Sequence, residues 1–111
     1  MKTREELHNA LRQTILGLLG VTERPNLGIH EDAFFVGRTM FMHIHGHGQC
    51  DIRLPKEIQE QVLAEGKASP HRWAPGQGYV TSMVTDDVAL NTTIELIQLS
   101  HRHFAGGAEV R

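Results

Sequence analysis

The chain has 111 residues, the size of one ordinary domain, and 40% of them are hydrophobic, enough for a packed core and too many for a disordered chain. Eleven Lys and Arg against thirteen Asp and Glu leave a net charge of −2, which argues against nucleic acid or an anionic membrane as partner, since both call for a basic surface. The single cysteine, Cys50, excludes an internal disulfide and suits a reducing, cytoplasmic setting, and the charged residues 1–7 read as neither a secretory signal nor a membrane span.

Thr3-Arg4-Glu5-Glu6 has the spacing of a capping box and opens a helix. Leu7, Leu11, Ile15, Leu18 and Leu19 recur along it as one apolar stripe, Gly17 weakens its last turn, and Gly20 stops it. Residues 21–29 hold Pro25, Asn26 and Gly28 and read as an irregular or edge segment.

The period then changes to two. Residues 33–36 and 39–45 read as strands joined by Gly37-Arg38, a two-residue turn of type II′ with Gly first, which sets Phe35 opposite Met40 and Phe34 opposite Phe41. At Gly46-His47-Gly48 polarity decides the register. A three-residue loop with Gly48 left-handed pairs His45 with Gln49, Ile44 with Cys50, His43 with Asp51 and Met42 with Ile52, and sets Met40 against Leu54. A loop one residue longer or shorter places His43 against Ile52 or Cys50 and buries a polar set, because a one-residue slip exchanges the faces of a strand.

Pro55 suits the first position of a helix running to Glu65, with Ile58, Val62 and Leu63 on its apolar side and Gly66 as its cap. A short strand is expected over 71–74, a turn at Pro75-Gly76-Gln77-Gly78, and a strand over 79–84. Thr85 is expected to cap the last helix, with Asp86 and Asp87 at its positive end. Ala89, Leu90, Ile94, Leu96, Ile97 and Phe104 form its buried face, and Gly106-Gly107 ends the fold. The expectation is one α+β domain over 1–111, with its core in 3–104 and a tail at 105–111. It is a two-layer sandwich of a four- or five-stranded antiparallel sheet with about three helices on one face.

Strict alternation puts Ala33, Phe35, Met40, Met42, Ile44, Cys50, Ile52, Leu54, Val80 and Val84 under the helices. The other face then carries Phe34, Phe41, His43, His45, Gln49, Asp51 and Arg53, with Tyr79, Thr81 and Met83 assigned there too. An apolar floor with a few convergent polar groups is the usual build of a small-molecule site. His43 opposite Asp51 is its sharpest pair, since a carboxylate can orient an imidazole for general-base work. The plain alternative is a cross-strand pair contributing a few tenths of a kcal/mol. His43, His45 and His47 also form a His-x-His-x-His run, in which His43 and His45 share a face and suit a divalent ion such as zinc, with Asp51 as a third ligand.

Other residues read more simply. Cys50 should face the core and be inert. His101 and His103 should complement the negative end of the last helix. Trp73 reads as a pocket wall or as packing under a loop. His71 borders the site or belongs to an exposed loop, and Gly76-Gln77-Gly78 lacks the strand-to-helix setting of a nucleotide turn.

Phe35-Val36-Gly37-Arg38, His43-x-His45-Gly46, Gly48-x-x-Asp51-Ile52 and Leu54-Pro55, followed by Gly66-x-Ala68, His71, Pro75, Gly78-Tyr79-Val80, Asp87 and Leu99-Ser100, resemble the luciferase-like domain family. The resemblance spans roughly residues 33–100 and rests on order and spacing rather than on one motif. The end of the chain more faintly resembles the MmcQ/YjbR-like proteins. The main resemblance implies an α+β domain whose site lies at His43, His45 and Asp51; the fungal luciferases, which the family's domain also resembles, oxidise a hydroxylated pyrone with molecular oxygen. Three readings follow: a small-molecule binder or cofactor-independent enzyme using His43, His45 and Asp51 with Phe34, Phe41, Gln49, Arg53, Tyr79 and His71; a divalent-metal site at His43 and His45; and a homodimer or accessory module anchored on Phe34 and Phe41.

Overall fold

The computed structural model describes residues 2–26, 31–45, 48–70 and 78–109. Helix α1 (Arg4–Leu16) begins as its capping box dictates: the Glu6 amide donates to Thr3 Oγ1 at 3.1 Å and the Thr3 amide to Glu6 Oε1 at 2.9 Å. Leu7, Leu11 and Ile15 are buried, but the helix stops at Leu16, so the apolar stripe does not continue as expected. Leu18 only packs against the edge of the core, and Leu19 is 73% exposed.

The sheet has six strands: β1 (Val21–Asn26), β2 (Glu31–Val36), β3 (Thr39–His45), β4 (Gln49–Arg53), β5 (Ser69–Pro70) and β6 (Tyr79–Met83). Their spatial order is β1-β2-β3-β4-β6-β5, and every neighbouring pair is antiparallel. The irregular segment around Pro25 proves to be an edge strand, where a missing N–H costs least. Between β3 and β4 the pairs are Met42–Ile52, His43–Asp51, Ile44–Cys50 and His45–Gln49, the register that polarity selected, and Gly48 is left-handed at φ +79°. Gly46 and His47 lie outside the described residues, as do His71, Trp73 and the strand expected over 71–74.

One feature of β3 overturns the assignment of faces at its start. Phe35 pairs with Met40, as expected, but Phe34 pairs with Met42 rather than Phe41. Phe41 is therefore the extra residue of a β-bulge, and alternation changes phase across it. Phe41 and Met42 are consecutive, yet both are fully buried in the helix-covered core, together with Phe34. Ala33 pairs with His43, so Ala33, and with it Phe35 and Met40, belongs to the opposite face, where the Arg24 guanidinium lies 4.4 Å from the Phe35 ring centre.

Helix α2 (Lys56–Ala64) follows Pro55, which stands at the N-cap, one residue before the expected first turn; Glu65 is the C-cap and Gly66 follows at φ +72°. Helix α3 (Asp87–Glu109) is capped by Asp86, not Thr85: the Ala89 amide donates to Asp86 Oδ1 at 2.7 Å. It runs through Gly106-Gly107, the expected end of the fold, because a mid-helix glycine costs about 1 kcal/mol relative to alanine without itself terminating a helix. The three helices pack on one face around Leu11, Ile15, Phe41, Ile52, Leu96 and Ile97.

Helix α3 is also tied to the sheet by polar contacts. Ser82 and Thr93 hydroxyls meet at 2.6 Å, and Ser100 Oγ lies 3.2 Å from the Phe41 carbonyl and 2.5 Å from that of Arg53, serving acceptors beside the bulge. His101 does not act at a helix terminus: it is buried, its Nε2 donates to the Leu19 carbonyl at 2.8 Å, and its ring meets Phe41 edge-on. Among the described residues no helix is long and apolar enough to cross a membrane.

Candidate functional site

On the face away from the helices, the strand pairings lay out two adjacent rows. His43, Asp51, Thr81 and Ser69 form one row, and His45, Gln49 and Met83 form the next. Gly48, which directly precedes β4, is held in place by Val84. The Val84 amide donates to the Gly48 carbonyl at 2.9 Å, and a Cβ on Gly48 would stand 3.0 Å from the Val84 carbonyl oxygen, so this position needs glycine for its space as well as its φ.

Asp51 is the centre of the cluster and is 0% exposed. A buried carboxylate is tolerated only when its lone pairs are engaged. Here Oδ2 lies 2.8 Å from His43 Nε2 and 3.0 Å from His45 Nε2, while Oδ1 accepts from Thr81 Oγ1 at 2.7 Å. Gln49 Nε2 stands 3.4 Å from each oxygen. With Asp51 ionised, both rings donate from Nε2, which fixes their tautomer and orientation.

The two imidazoles have different surroundings. The His43 side chain is 11% exposed and sits between the Tyr79 ring, centred 5.4 Å away, and the His45 ring, centred 5.0 Å away and perpendicular to it. The His45 side chain is 27% exposed and is the ring that meets solvent. Beside the cluster a groove of about 710 Å³ is lined by Gln49, Thr81, Pro70, Met83 and Val88 among others. Cys50, between these polar residues in sequence, faces the core as expected. Burial, reinforced by the Asp51 charge, pushes its thiol up to about 12, which removes it as a nucleophile.

His43, His45, Asp51, Gln49 and Tyr79 are thus brought together, as the sequence suggested. Phe34 and Phe41 are not: both rings lie in the core, where neither can floor a ligand site or anchor a second copy. Arg53 shares the strand parity of Asp51, but it ends β4 and its guanidinium lies 5.1 Å from the ring centre of Phe104 on α3, away from the imidazoles. His71 is outside the described residues. Thr81 was placed on this face by alternation but not among the site residues. Its role depends on the β4–β6 register, which no short turn encodes. The ligand atoms of His43, His45 and Asp51 lie within 4.8 Å of one another, so the group could hold a metal ion.

Neither a curated protein nor a solved structure matches the chain. A family model does: the one described as the Luciferase domain matches residues 38–100, more than half of the chain, including all of β3, β4 and β6 with His43, His45 and Asp51, and the protein belongs to that family.

Proposed function

We propose that this protein binds a small organic molecule on the open sheet face at His45, and that an Asp51-held imidazole takes a proton from an acidic hydroxyl of that molecule. The O–H bond breaks, the proton passes to the imidazole, and the electron pair stays on the ligand oxygen. The observation that carries the reading is a fully buried carboxylate gripping two imidazoles, one of which reaches solvent. A carboxylate behind an imidazole holds it in one tautomer and orientation, the arrangement general-base catalysis uses. The resemblance to the fungal luciferases motivates the choice of a hydroxylated heterocycle as the ligand, with molecular oxygen as the oxidant of the deprotonated molecule.

The test uses a hydroxylated pyrone, with oxygen uptake and ligand fluorescence as readouts. His45→Gln should leave the melting temperature nearly unchanged and lower turnover about 100-fold or more, the usual weight of a general base. Turnover equal to the parent's, or a loss that only tracks a fall in melting temperature, would sink the reading.

A second reading of the same residues is a resident divalent cation, zinc being the ion that the His-x-His spacing suggests. Three convergent ligand atoms favour it. Elemental analysis of untagged protein, purified without a metal column, decides it, and sub-stoichiometric metal ends it.

A further inference from the structure

We propose that the cavity where β4 passes into α2, walled by the end of α3, is a second binding site, for a small organic carboxylate with an apolar ring as its body. It shares no lining residue with the imidazole cluster and does not depend on either reading above.

Three observations carry it. The first is size and floor. The cavity holds about 620 Å³, within the range of small-molecule sites, and Leu54, Leu63 and Phe104 give it an apolar lining. The backbone beneath is already satisfied: the Leu54 amide donates to the Gly78 carbonyl at 3.0 Å, and Gln59 Nε2 donates to the Leu54 carbonyl at 2.6 Å. What the floor offers a ligand is therefore apolar contact.

The second is the rim. Arg53 and Lys56 both line this cavity, and among the described residues neither makes an ion pair, with Glu60 beside them or with any other acid. The Arg53 guanidinium lies over the Phe104 ring, 5.1 Å from its centre. An aromatic face steadies a guanidinium and leaves its N–H fork for a carboxylate, which the fork matches with two parallel hydrogen bonds.

The third is the charge balance. Two cations and the one carboxylate of Glu60 leave a single positive charge on the lining. That balance suits a monoanion; a dianionic phosphate ester would bring an excess of negative charge against Glu60.

The experiment titrates untagged full-length chain with 2-naphthoate by calorimetry. One equivalent should bind, and the neutral 2-naphthamide, of the same shape, should bind about 10-fold more weakly or worse, the scale of a charge-assisted hydrogen bond. Arg53→Gln should weaken naphthoate binding by a similar factor with the melting temperature nearly unchanged, and Glu60→Gln should tighten it. No saturable binding of naphthoate, equal binding of the amide, or parental affinity in Arg53→Gln overturns the site. Binding lost in His45→Gln but kept in Arg53→Gln also overturns it, because the anion then sits on the sheet face. Tighter binding of 2-naphthyl phosphate than of naphthoate overturns the carboxylate class.

Discussion

Asp51 and Cys50 are neighbours in the chain and face opposite sides of one sheet, and their chemistry diverges accordingly. The carboxylate spends its burial on hydrogen bonds from Thr81 and two imidazoles, while the thiol spends its own on apolar contact. Burial first, and the nearby Asp51 charge second, raise the Cys50 thiol to about 12, so it stays protonated through pH 9. The folded protein should therefore resist iodoacetamide at pH 8.5 over hours and react within minutes in 6 M guanidinium. Mass spectrometry after quenching reads the difference, and rapid labelling of the native protein would show that the thiol is not held in the core. The pairing of His43 with Asp51 was legible because every alternative register buried a polar set. The position of Arg53 was not: a long side chain on the last residue of a strand can reach round the sheet end to an aromatic ring, and strand parity does not constrain it.

At the level of elements, β3 shows where a period-two pattern stops being informative. Met40, Phe41 and Met42 are all apolar, so the sequence reads equally well with or without an extra residue, and no Gly or Pro marks the bulge. The Phe34/Phe41 floor expected under the imidazoles was the cost of that ambiguity. The hairpin beyond the bulge was readable, because His and Asp alternate there with Ile and Cys. The change of phase makes a sharp prediction about two similar residues. Phe41, fully buried, should cost about 3–5 kcal/mol when replaced by Ala, the range for large core truncations. Phe35→Ala should cost clearly less, about 1 kcal/mol, because its half-buried ring meets Arg24 on the other face. Urea denaturation of both variants checks this, and strict alternation without a bulge requires the opposite order.

Across the whole molecule, α1 joins the sheet through two kinds of contact. Leu7, Leu11 and Ile15 enter the common core, and Arg12 reaches the edge strand β1, with Nε and Nη2 donating to the Glu23 carboxylate at 2.7 and 2.5 Å. This link is invisible in the sequence: the partners are eleven positions apart, on either side of a chain reversal whose geometry no motif states. The antiparallel order β4-β6-β5 was equally hidden, since the connection from α2 is not a short hairpin. The ion pair still has a consequence for the intact fold. Hydrogen bonding from Arg12 is the largest influence on Glu23 and, with its charge, holds the carboxyl below the usual range against a smaller opposing effect of burial. A carboxyl whose pKa is lowered by folding contributes stability that is present above its unfolded value, about 4.3, and is lost as pH falls through the lower folded value. The Arg12 side chain is 43% exposed, so water screens the pair and its contribution to stability is small. Glu23→Gln should therefore lower stability slightly at pH 7 and leave it close to that of the parent near pH 2.5. The two urea stability curves should converge as pH drops below about 4.3. Parallel curves over that interval would mean that the carboxylate gains nothing from Arg12, and that the apolar stripe alone seats α1 on the sheet.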